Sequence, residues 1–177
     1  MVLAMLSGVT VPAHGQAPAG PFTTVAQDMR EREYAPVRRH LVAAARLMPV
    51  EHYDFRAADG TRTFAEEVLH GAAVAARLCG QAGSLPRPAT DAPPLPPDPA
   101  ARKAAIAERL DQALGVCDGV LADMTDARLL ERTSGPYIRA SHLTALLGHC
   151  SHVYAKLSLM LRMKGLVPPS TAGRAGS

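Results

Sequence analysis

The sequence predicts an all-α domain: an up-down-down-up four-helix bundle with a long proline-rich crossover between helices two and three. Three observations lead there. Hydrophobic residues make up 47% of the 177 residues but aromatics only 4%, with no tryptophan, so alanine, leucine and valine must fill the core. Alanine and unbranched side chains lose least on entering a helix, which biases the chain toward that state. No segment alternates with period two in β-branched residues, so strands have no signal. Finally, helix-start signals recur four times, each ahead of an apolar run.

The first signal is Thr24 with Gln27, a capping-box spacing that opens a helix over about residues 24–48, interrupted or bent at Pro36. Thr63 with Glu66 opens the second, "FAEEVLHGAAVAARLCG", which is expected to stop near Gly80. Asp98 followed by Pro99 reads as N-cap and first helical position of the third, running to about Met124. Ser134-Gly135-Pro136 opens the fourth, closed by Gly165 ahead of Pro168-Pro169.

Connection lengths set the topology. Roughly ten residues join the third and fourth helices, which favours antiparallel neighbours. Between the second and third lies "GQAGSLPRPATDAPPLPPDP". At roughly 3 Å per residue in extended polyproline form, this segment outreaches either helix and can return the chain along the bundle. Helices two and three then run parallel. Cys79 near the end of helix two and Cys117 late in helix three would lie toward the same end. A disulfide needs Cα atoms within about 7 Å, which the parallel arrangement permits. Two buried thiols are the competing reading, and Cys150, in mid-helix four, is expected to stay unpaired.

Composition excludes some roles. The formal charge is +3 and the arginines are scattered, so nucleic acid is not an expected partner. No run of eighteen apolar residues exists to span a membrane. Residues 1–20, "MVLAMLSGVTVPAHGQAPAG", read either as the later part of a secretory signal lacking its basic start or as a disordered arm. The first reading implies export to the periplasm or beyond. The bundle is expected over 21–170 and a disordered tail over 171–177.

Seven histidines are present, and most call for no special role. His14 lies in the N-terminal segment, His40 on helix one, His52 in a loop and His142 at the start of helix four. His70 and His149 differ, because each falls in the middle of a helix, where imidazole nitrogens must find partners. Two such histidines on helices that pack together suggest a bundle-core metal site. Imidazole suits zinc, nickel, copper and iron, and three protein ligands with one open position is the catalytic zinc pattern. Asp118, Asp123 and Asp126 read as a solvated face, and Cys150 beside His149 is no nucleophile-base pair, since adjacent helical residues diverge.

"VRRHLVAAARLMPVEHYDFR", "RTFAEEVLHGAAVAARLC" and "HCSHVYAKLSLMLRMKGLVPPS" resemble the DinB-like family of four-helix bundles, from about Tyr34 to Ser170. The resemblance implies a divalent metal, zinc or nickel, held by one histidine of helix two and an i, i+4 pair of helix four. Some members are thiol-dependent transferases or isomerases and many have no assigned activity, so the resemblance implies a thiol transferase or a hydrolase. The helix-two ligand falls on His70 and the first helix-four ligand on His149. The second falls on Val153, with His152 beside it. Position 153 lies about 40° from His149 around the helix and position 152 about 60° on the other side, so His152 is the candidate third ligand from a different direction.

Two readings stay open. In one, His70 and His149 with His152 hold a metal that activates water or a small-molecule thiol toward an electrophilic substrate. An exported location would weaken the thiol version. In the other, the chain is a non-catalytic, metal-free bundle, dimeric or ligand-binding, with Val153 simply packed.

Overall fold

The computed structural model describes residues 24–86 and 93–172. The expectations for residues 1–20, for His14 and for the middle of the crossover lie outside them. The described chain is all-α. Helices α1 (Val25–Asp28), α2 (Ala35–Leu47), α3 (Phe64–Gly83), α4 (Pro99–Ala122), α5 (Asp126–Leu129) and α6 (Arg139–Met163) follow in order. Among the described residues no helix is long and apolar enough to cross a membrane.

The predicted first helix is composite. Between α1 and α2 lies a π-helical segment, Met29–Tyr34, and Pro36 sits in the first turn of α2. A proline cannot donate to the carbonyl four residues back, and its ring crowds that carbonyl. The widened turn relieves this, with the Ala35 amide donating to Arg30 O, five residues back.

The local start signals are realised. The Thr63 hydroxyl accepts from the Glu66 amide at 3.2 Å while the Glu66 carboxylate accepts from the Thr63 amide at 2.7 Å. Asp98 accepts from the Ala101 amide at 2.7 Å. Two ends differ from expectation. The second helix runs on to Gly83, because Ala82 gains full burial by continuing. It is closed by Ser84 in the left-handed region (φ 55°), with Leu85 N–H bonded back to Gly80 O. The fourth begins at Arg139 rather than at Ser134-Gly135-Pro136. Those three residues form a tight turn whose flanks are tied by Thr133 N–H to Tyr137 O and Arg139 N–H to Glu131 O. At the C-terminus, the Thr171 and Ala172 amides bond to Pro168 O, so a turn reaches into the segment expected to be disordered.

Helix α3 is the hub, packing on α4 and α6, while α2 packs on α6 and α4. Leucine dominates the fully buried side chains, including Leu41, Leu110, Leu114, Leu143, Leu146 and Leu157. Polar ties join α2 to α4: Tyr34 Oη donates to Leu114 O at 2.9 Å, and Lys103 Nζ donates to Met48 O at 2.7 Å. Arg38 spans Asp118 at 2.8 Å and Asp111 at 3.2 Å. The sulfurs of Cys79 (α3) and Cys117 (α4) stand 1.96 Å apart, their Cα atoms 5.2 Å apart, both residues fully buried.

The aspartates expected to form a solvated face are not simply that. Asp118 is Arg38's partner. Asp126 reaches across the fold to accept from the Ala26 amide at 2.8 Å and the Val25 amide at 3.3 Å, capping α1 with a charge at its positive end. Asp126→Ala should therefore cost about 1 kcal/mol, read as a lowered urea midpoint with unchanged slope; an unmoved midpoint would deny the cap a role.

Candidate metal centre between two helices

His70 stands seven residues into α3 and His149 near the middle of α6. Their rings meet edge to face, centroids 5.0 Å apart at 74°. Both are half-buried. The Nε2 atom of His149 is buried and has no hydrogen-bond partner among the described residues. A ring nitrogen in that position has given up water without a replacement, which is costly unless something else occupies its lone pair.

The walls are specific. Val153, the position where the resemblance places a third histidine, is fully buried. A Cβ added at Gly71 would meet Val153 Cγ1 at 3.1 Å, so α3 and α6 close on each other here because one partner is glycine. Val153 is a packing residue. His152 is exposed on the flank of the same face. His142 lies elsewhere: its Nε2 is 3.2 Å from Thr133 Oγ1 and its ring packs edge-on against Tyr137. His40 stacks on Tyr154 at 5.2 Å. Cys150 is a buried free thiol, pushed up to about 12 by its burial, and is therefore inert at neutral pH.

One neighbour did not stand out in the sequence. Glu67, one turn before His70, is 1% exposed. Its Oε1 lies 3.2 Å from Lys156 Nζ and its Oε2 3.6 Å from Arg62 Nη1. Neither cation gives Oε1 a geometrically sound hydrogen bond, so the contact at Oε1 is an ion pair alone. Next to the capping partner Glu66, an acidic residue reads as ordinary first-turn chemistry, which hides it. The Glu-x-x-His spacing, Glu67 to His70, was the available signal.

Electrostatics keep both imidazoles neutral. Burial lowers the His70 pKa first, with Arg62, Lys156 and His152 adding to the effect against Glu67. Burial also leads for His149, followed by His70 and His152. Neutral imidazole is the form that ligates metal. It also sets a pH dependence in metal-free protein. An unfolded histidine takes its proton near pH 6.5, whereas these two resist it until lower pH. Across that window the unfolded state binds more protons, so stability falls as pH drops and levels off below the folded values. We expect the melting temperature of chelator-treated protein to decline from about pH 7 downward. The decline should be shallower in His149→Gln, with His40, also lowered by burial, supplying part of the residual slope. A pH-independent melting temperature would contradict this.

The model of the DinB superfamily matches residues 33–156. The chain belongs to the DinB superfamily. No curated protein and no solved structure matches it. This DinB-superfamily chain thus brings together His70 and His149, while His152 stands aside. Among the described residues, no three of histidine, cysteine, aspartate and glutamate are gathered at ligand distance.

Proposed function

We propose that this DinB-superfamily protein binds a divalent metal, zinc or nickel, through His70 and His149, and acts on an electrophilic small molecule. The buried, unpartnered Nε2 of His149, on a ring that meets the His70 ring edge to face, carries the reading. A bound ion of this kind lowers the pKa of water or a thiol and presents it as a nucleophile. The chain's own part is to hold two neutral imidazoles in fixed orientation and to wall the inner side with Val153. His152, on the flank, is the candidate further donor from the sequence.

The bundle reading fits the same site. Contacts pair Glu67 with Lys156, His70 with His149 and Ala82 with Arg139, an antiparallel progression of α3 against α6. Those of Tyr34 with Leu114 and Met48 with Lys103 run the same way for α2 against α4. Cys79 against Cys117 joins the late turns of α3 and α4, which suits parallel helices linked by the proline-rich crossover. These pairings support the up-down-down-up order. A closed cysteine pair also belongs in an oxidising compartment, which supports export and favours hydrolysis over transfer of a cytosolic thiol.

The packing of Val153 onto Gly71 supports a second reading, a metal-free dimeric or binding module. Metal content separates the two. Stoichiometric zinc or nickel in purified protein, lost in both His70→Ala and His149→Ala, is the expected result. Absence of metal from wild type, gained only on Val153→His, would overturn the first reading in favour of the second.

A further inference from the structure

We infer that the substrate of this site is anionic, and that Arg62 and Lys156, fixed in place by the buried Glu67, hold its carboxylate or phosphate group one helical turn from the histidine pair. The inference deepens the reading above by naming its substrate class. It rests on that reading for the reaction, but not for the anion site itself.

Three observations carry it. First, Glu67 is 1% exposed, and its one carboxylate is shared by two cations. Lys156 Nζ lies 3.2 Å from Oε1 and Arg62 Nη1 lies 3.6 Å from Oε2. A carboxylate buried to that degree needs its partners, so both cations are held at this spot. One negative charge against two positive ones leaves the cluster with a positive charge unbalanced. The adjoining pair, Arg56 with Glu66 at 3.9 Å, cancels itself. Second, the cations are not used up by Glu67. The Arg62 and Lys156 side chains are 46% and 39% exposed. An ammonium has three donors and a guanidinium five, so donors remain for a ligand arriving from solvent. Carboxylate and phosphate oxygens are the partners that match them.

Third, the cluster lies beside the histidines. Glu67 precedes His70 by about one turn of α3, roughly 5 Å along the axis. Lys156 follows His152 by one turn of α6 and His149 by two, on the same stripe of that helix. Arg62 stands just ahead of α3 and Lys156 on α6, so the two cations flank the seam that also carries His70 and His149. Their fields reach the rings: after burial, Arg62 is the next cause lowering the His70 pKa, and Lys156 contributes at both histidines. An anionic group docked on this pair places the rest of a small molecule against the two imidazoles.

The test uses the full chain, stripped with chelator, at neutral pH and low salt, where exposed charges are least screened. Inorganic phosphate and acetate are the probes, and the histidine ring signals are followed by NMR. At least one probe should shift the His70 and His152 signals saturably, and the one that saturates at lower concentration tells a phosphate from a carboxylate group. His142, bonded to Thr133 at the start of α6, should stay still. Arg62→Gln and Lys156→Gln should each weaken binding about fivefold, the upper end for a half-exposed ion pair, while Lys156→Arg should stay within about twofold of wild type. Arg39→Gln, which removes an exposed charge on α2, should leave binding unchanged. The inference is overturned if neither probe saturates, if His142 shifts as much as His70 and His152, or if Arg62→Gln and Lys156→Gln bind no worse than Arg39→Gln. Should either glutamine variant not fold, the ring shifts of wild type decide the matter. Zinc uptake is read separately. Phosphate or acetate bound by a protein that takes up no zinc would sink the metal reading and leave the anion site standing; zinc bound with no response to either probe would sink this inference alone.

Discussion

Replacing Cys79 and Cys117 together with alanine should lower stability by about 4 kcal/mol. The two residues are 38 apart in sequence, and the loop they close contains the whole proline-rich crossover. Cross-linking a loop of that length removes closure entropy from the unfolded chain, and the chain-entropy relation gives about 4 kcal/mol at room temperature. Both cysteines are fully buried, which shields them from reductant until the chain opens. The double variant should therefore unfold at lower denaturant whether or not reductant is present, and wild type should fall to nearly the same midpoint once unfolded and reduced. Equal midpoints for oxidised wild type and the double variant would show that the pair contributes nothing.

Phe64→Ala should cost about 3–5 kcal/mol. Phe64 is the first residue of α3 and fully buried. Its ring meets Tyr53 edge-on at 5.3 Å, and its amide donates to Phe55 O at 2.8 Å. Tyr53 in turn donates from its hydroxyl to Ala45 O on α2. Truncation would leave a cavity where the loop after α2 is locked to the start of α3. Because α3 carries His70 within its next two turns, the metal binding proposed above should weaken with stability. A loss under about 1 kcal/mol would mean that the site collapses to fill the space.

Much of the fold was legible because helix ends are decided within a few residues. Thr63 with Glu66 and Asp98 with Pro99 carry their capping chemistry in the local sequence, and both caps form as written. The end of α3 was not legible in that way. Gly80 is the stronger local stop, but burial of Ala82 draws the helix on to Gly83. Asp126 shows the same limit from another side: its partners, the amides of Val25 and Ala26, are a hundred residues away in sequence. At the site, His70 and His149 stood out because imidazole inside an apolar helix is a rare cost. Glu67 did not, because a glutamate in the first turn of a helix is ordinary until its burial is known.

By itself, the sequence determined an all-helical fold, the places where most helices begin, and which two histidines fall in mid-helix, since each depends on chemistry within one or two turns. Only the tertiary structure decided that Val153 is spent on packing against Gly71, that His152 faces solvent, and that a carboxylate lies buried beside the histidine pair. Those outcomes depend on how closely two helices approach and which faces they bury, and that distance is set by the whole core rather than by any local run of residues.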